Sequence, residues 1–179
     1  MNNEIKNIIN WVNRDINKDY TVKDFPDKLN EKDWNSISQF SDLSKNFIEK
    51  YKYYINWIYI SIHQDLSEKF IEKYKNYVNW DCISVHQTLS EPFIEKYKNK
   101  INWNSISHFQ NLSESFIEKH KDKVYWYSIS RYQEISYSFI VKFKDYLDWD
   151  MIKRKYNLTY FDICKHINFD DNNKIALNI

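Results

Sequence analysis

Metal coordination and proton transfer are the chemistries that scattered histidines can perform, and the chain has five: His63, His86, His108, His120 and His166. No two of them stand with an Asp, a Cys or a second His at a spacing that would gather ligands on one helical face. His63 and His86 hold equivalent places 23 residues apart. In stacked helical copies that means about 10 Å, far beyond ligand bonds of about 2 Å. Cys82 and Cys164 are the only cysteines, are widely separated and have no metal-ligand spacing, so they read as free thiols in a reducing compartment. Glycine is absent, which removes both the phosphate-cradling loop and the sharp turn that presents a nucleophile. The expectation is a non-enzymatic protein with no catalytic residues, no metal and no cofactor.

Binding chemistry is better represented, and it recurs every 23 residues. Lys50, Lys73, Lys96, Lys119 and Lys142 form one basic series, and Lys52, Lys75, Lys98, Lys121 and Lys144 a second. Five charges at a regular rise suit a polyanion such as a phosphate backbone. Glu49, Glu72, Glu95 and Glu118 lie three residues before the second series, a spacing that allows Glu to Lys pairs along a helix. That gives the alternative, a solvated face of charge pairs. A third series is aromatic or imidazole: Phe40, His63, His86, Phe109 and Tyr132, flanked by the variable Gln39, Ile62, Val85, His108 and Arg131. It reads either as packing between copies or as a partner-facing edge, because aromatic and Arg side chains anchor interfaces. Single-stranded nucleic acid could stack on the same rings, with Gln64, Gln87, Gln110 and Gln133 beside them to meet base edges. That Gln does not vary, so it could not encode a sequence.

The elements that must position these series are set by tryptophan. Trp11, Trp34, Trp57, Trp80, Trp103, Trp126 and Trp149 are the only seven, each 23 residues after the last. So strict a period marks one small unit copied and stacked. Two helix starts are visible in the copy that begins at Trp80. Ser90 supplies an N-cap hydroxyl, Glu91 suits the positive end of the helix dipole, and Pro92 sits in the first turn, where a missing N–H costs little. Asn102 caps the next start, with Ile101 before it and Ile106 four residues after it. The second helix buries Phe93, Ile94 and Tyr97 on one stripe, and the first buries Trp103 and Ile106. Ser38, Ser61, Ser84, Ser107 and Ser130 hold a small-residue place on the first helix and read as packing. With no glycine, the turn after the second helix is expected to use Asn76, Asn99, Asp122 or Asp145 in a left-handed cap. No long period-two pattern competes, so the fold class is all-α: an α-solenoid of stacked two-helix repeats.

Residues 34–149 hold five regular copies. Residues 1–33 keep Trp11 but lose the Leu-Ser and Phe-Ile-Glu-Lys segments, while 150–179 keep Ile152, Leu158 and Ile163 but place Asp162 where Phe belongs. Both ends read as capping repeats that close the seam. Lys and Arg number 26 against 25 Asp and Glu, which offers no global pull toward nucleic acid or an anionic membrane. No run approaches the roughly 18 apolar residues of a membrane span, and the amino end lacks a signal-type segment, so the protein is expected to be intracellular.

The motif Trp-x-x-Ile-Ser-x-x-Gln-x-Leu-Ser-x-x-Phe-Ile-Glu-Lys-Tyr-Lys-x-x-Ile-Asn over residues 34–149 resembles the short Trp-containing repeat proteins of amoeba-infecting giant DNA viruses. The resemblance implies an all-helical viral repeat protein with no catalytic residues to carry over, acting in the host cytoplasm or the virion. The expected function is a scaffold that binds another protein, such as a host protein, through Phe40, His63, His86, Phe109, Arg131 and Tyr132. Polyanion or single-stranded nucleic-acid binding through the Lys series is the alternative.

Overall fold

The computed structural model describes residues 2–40 and 43–158. Twelve α-helices and no strand lie among the described residues. The fold is the α-solenoid class expected from the period, two short helices in each 23-residue copy. The first helices are α2 (Glu31–Gln39), α4 (Trp57–His63), α6 (Trp80–His86), α8 (Trp103–Phe109), α10 (Trp126–Tyr132) and α12 (Trp149–Tyr156). The second are α3 (Lys45–Lys50), α5 (Glu68–Lys73), α7 (Glu91–Lys96), α9 (Glu114–Lys119) and α11 (Tyr137–Lys142), and a longer α1 (Asn2–Ile16) leads the chain. The chain divides into two compact units, one ending at Asn102 and the other starting at Trp103. Within the first, α1, α2, α4 and α6 pack in succession; within the second, α8, α10 and α12 do.

Local sequence chemistry sets the helix starts as read. Ser44, Ser90, Ser113 and Ser136 each accept the N–H of the Phe three residues on. Asn79 accepts from the Cys82 N–H at 2.9 Å, and Asp148 from the Met151 N–H at 3.1 Å, which caps the first helices in the same way. The second helices end differently from expectation. None of Asn76, Asn99, Asp122 or Asp145 is left-handed; among the described residues only Asn17 and Asn157 have positive φ. After α5 the chain keeps turning to the right, with Tyr77 N–H and Val78 N–H both donating to the Tyr74 carbonyl. A right-handed turn of this kind satisfies the last carbonyls without an αL residue, so the repeat has no need of glycine.

The core of each unit is aliphatic. Ile37, Ile60, Ile83, Ile106, Ile129 and Ile152 of the first helices are 0% exposed, and they face Ile48, Ile71, Ile94, Ile117 and Ile140 and the preceding Phe of the second helices, all buried. The tryptophans sit at the rim. Trp34 is buried, but the other six are half-buried. Each regular indole stacks on its own second helix, as Trp80 does on Phe93 and Tyr97 with centroids 6.3 and 4.8 Å away. Four indole N–H groups reach back to the previous copy: Trp57, Trp80, Trp126 and Trp149 donate to the carbonyls of Lys52, Lys75, Lys121 and Lys144. The indole is thus a tie between one turn and the next hairpin, sealed on one face only.

Two polar residues join the copies. Ser61 is fully buried; its hydroxyl donates to the Trp57 carbonyl at 2.7 Å and accepts the N–H of Asn79, the cap of the next first helix, at 3.0 Å. Ser38 and Ser130 repeat this bridge to Asn56 and Asp148. The invariant serine is packed, as expected, but its small size is only half the reason. Ser61→Ala is expected to cost about 1–3 kcal/mol, since it strands an N–H at a half-buried junction. A urea titration of the full chain would measure it, and an unchanged midpoint would contradict the bridge.

Contacts like those between copies recur near both ends of the described residues. In α1, the Glu4 carboxylate accepts from both N–H and Oγ of Ser44, at 2.7 and 2.9 Å. Glu68 and Glu114, from the preceding second helix, do the same for Ser90 N–H and Ser136 N–H. At the other end, the Tyr156 hydroxyl accepts the Ile135 N–H and donates to its carbonyl, and Lys155 Nζ donates to the Gln133 carbonyl. Asn157 then ends α12 in the left-handed conformation. Asp162, Ile163, Cys164 and His166 lie outside the described residues.

Candidate interaction surface

The buried glutamines are not at the surface that the sequence suggested for them. Gln64, Gln87, Gln110 and Gln133 are 4–5% exposed. Gln87 Nε2 donates to the carbonyls of Ser61 and Gln64 at 3.0 and 2.8 Å, while its Oε1 accepts the Leu66 N–H at 2.9 Å. Gln133 makes the same three bonds to Ser107, Gln110 and Leu112. Gln64, Gln87 and Gln133 reach back one copy, so these amides hold backbone and are closed to base edges.

The basic series is a charge-paired ladder. Lys73 Nζ lies 2.6 Å from Glu49 of the previous copy, and Lys96 and Lys142 pair in the same way with Glu72 and Glu118. Lys50 lies over Tyr51, Lys73 over Tyr74, Lys96 over Tyr97 and Lys142 over Phe143, at 5.1 to 5.7 Å from the ring centroids. The expected pair three residues along one helix occurs at Glu95 and Lys98. Elsewhere stacking places the next copy's Lys within reach first. Hydrogen bonds from Lys73 and Lys96 hold the Glu49 and Glu72 carboxyls below the usual range, so the ladder's contribution is present at neutral pH and fades on acidification. All these groups are exposed, and salt screens them.

The aromatic series differs between the two units. In the first, Phe40 is half-buried, edge-on to Trp11 at 5.3 Å, so it serves as packing against the cap. His63 and His86 are exposed, and His63 meets Tyr59 of its own helix at 6.2 Å. In the second unit the rings gather. His108 lies against Phe109 and against Tyr132 of the next first helix, with centroids 4.0 and 3.8 Å away and planes 22° and 25° apart. Phe109 is nevertheless 52% exposed and Tyr132 38%. The Arg131 guanidinium stands 5.2 Å from the Tyr132 centroid and donates from Nη1 to the Tyr127 hydroxyl at 2.9 Å. That bond, one helical turn back, holds the Arg131 pKa above its usual value. Tyr125 adds a ring 6.0 Å from Tyr127.

The surface is therefore a preformed platform with one fixed cation. The sequence pointed to Phe109, Arg131 and Tyr132, but it placed His108 among the flanks and missed Tyr127. The clue was the spacing of four between Tyr127 and Arg131, hidden because that column holds Asn35, Ile58, Asp81 and Asn104 in the other copies. A second exposed group, on the first unit, was also missed. Tyr53, 76% exposed, lies 6.3 Å from Tyr77, with Lys52 over its ring at 4.9 Å. The Tyr77 hydroxyl and the Lys52 charge hold its phenol below the usual tyrosine range.

Among the described residues no three His, Cys, Asp or Glu are grouped to hold a metal, and no helix is long and apolar enough to cross a membrane. Cys82 is half-buried, and desolvation with the nearby Asp81 charge pushes its thiol up, away from the reactive thiolate. Comparison with family models, curated proteins and solved structures finds no match to this chain.

Proposed function

We propose that the chain is a non-enzymatic helical-repeat scaffold that holds another protein by the exposed edge of its first helices. The observation that carries this reading is the cluster of Phe109, His108, Tyr132 and Arg131: large rings left in water, pre-stacked, with a guanidinium fixed beside them. Exposed rings that already hold one another lose little freedom when a partner covers them, and Tyr and Arg are the side chains that most often dominate binding. The buried Gln87 and Gln133 of the seam are committed to joining copies, whereas this edge changes from copy to copy. The lysine ladder is the weaker route to a partner, because its own glutamates already offset Lys73, Lys96 and Lys142.

The test is the full chain carrying Phe109→Ser and Tyr132→Ser. Affinity capture from cell extract, read by mass spectrometry, is expected to lose the proteins held by the unaltered chain, while thermal unfolding changes little. A retained set of captured proteins would refute the reading. So would a large fall in melting temperature, which would reassign the rings to packing.

A further inference from the structure

We propose that the edge of the second unit takes an extended acidic segment with aromatic residues between its carboxylates. This rests on the protein-binding reading and gives that partner its chemistry. Position five after each Trp on α8, α10 and α12 holds His108, Arg131 and Arg154, one basic-type side chain for each first helix. Arg131 and Arg154 are exposed. The neighbouring acids are already engaged: Glu134 lies 3.3 Å from Lys155, and Asp150 lies 4.0 Å from Lys153. Arg131, by contrast, meets a phenol and a ring among the described residues, neither of which offsets its charge. One of its five N–H donors is spent on Tyr127, and the planar fork is held by Tyr132, so a carboxylate can still be gripped by two parallel bonds.

Spacing and shape agree with that occupant. Neighbouring first helices lie about 8–10 Å apart, and an extended peptide rises about 3.3 Å per residue, so acids three positions apart match successive arginines. Aromatic side chains between them would lie on Phe109 and Tyr132, which are the exposed members of the stack. A nucleic acid would also answer to rings and arginines. The peptide is favoured because the buried glutamines leave base edges nothing here to read.

The probe is a fluorescein-labelled peptide of three Glu-Glu-Tyr repeats, titrated with the full chain and followed by anisotropy. Lys-Lys-Tyr and Glu-Glu-Ser peptides and a 15-nucleotide oligo-dT run alongside it. Expected are micromolar binding of Glu-Glu-Tyr, none of Lys-Lys-Tyr, and at least tenfold weakening in Arg131→Gln/Arg154→Gln. Arg131→Lys, which keeps the charge and loses the fork, is expected between the two, and circular dichroism melts should coincide for all variants. Absent Glu-Glu-Tyr binding, or binding indifferent to the arginine changes, would overturn the proposal, as would oligo-dT binding more tightly with the same arginine dependence. If the acidic peptide fails while Phe109→Ser/Tyr132→Ser still abolishes protein capture, only the acidic chemistry falls. If capture also survives the ring changes, the protein-binding reading falls with it.

Discussion

Gln133→Leu is expected to remove about 3–6 kcal/mol of folding stability, a large part of what a domain of this kind possesses. Leucine fits the space and is better suited to burial, so simple hydrophobicity predicts a gain. The bonding of the amide predicts the loss. Gln133 satisfies three backbone groups at once, the Leu112 N–H and the carbonyls of Ser107 and Gln110, and its side chain is 4% exposed, which keeps water from replacing it. Each group left unpaired costs about 1–3 kcal/mol. Denaturant unfolding of the full chain measures the change, and a difference under about 1 kcal/mol would show that those groups find other partners. Gln133→Glu separates the two roles of the amide. A carboxylate still accepts the Leu112 N–H but cannot donate to either carbonyl, so most of the loss should remain at neutral pH.

Ile129→Ala is the second large change, expected to cost about 2–4 kcal/mol. Ile129 is 0% exposed on α10, in the aliphatic core of the second unit. Its cavity opens between a first helix and its neighbours, where short helices tied by Ser and Gln bonds have little room to settle inward. Phe109→Ser gives the contrast. It deletes a larger apolar group, yet from a ring 52% exposed, and the expected effect on stability is within about 0.5 kcal/mol. Paired melts of the two variants decide the matter: equal losses would place Phe109 in the core and remove the platform.

The architecture was legible because it is written in side chains. The 23-residue tryptophan period, the Ser and Asn caps and the Phe-Ile stripe each correspond to elements of the structure. What the sequence hid is written in backbone. Ser61 and Gln87 owe their burial to peptide groups distant in the chain, which no letter represents, so one reads as a small filler and the other as a surface amide. The lysine pairs were misplaced for a related reason. Spacing along one helix suggested Glu49 with Lys52, but stacking brings Lys73 within 2.6 Å of Glu49. The left-handed caps expected at Asn76, Asn99, Asp122 and Asp145 do not form, because no place here calls for a glycine that Asn or Asp would have to replace. The turn after Tyr74 stays right-handed and needs neither. Of the candidate edge, rings and arginine were visible as a column, while their convergence on His108 depended on distances across helices.

The serine bridge and the glutamine clasp share a directional logic. Gln87 gives its amide to the copy before it, and Ser61 offers its hydroxyl to the N–H that caps the next first helix, so a single 23-residue cassette carries both halves of the joint. Duplicating or excising one cassette at such a junction rejoins matching halves and strands no peptide group. Such an array can change length by recombination within its own coding sequence, and each new cassette arrives with a rim position free to diverge.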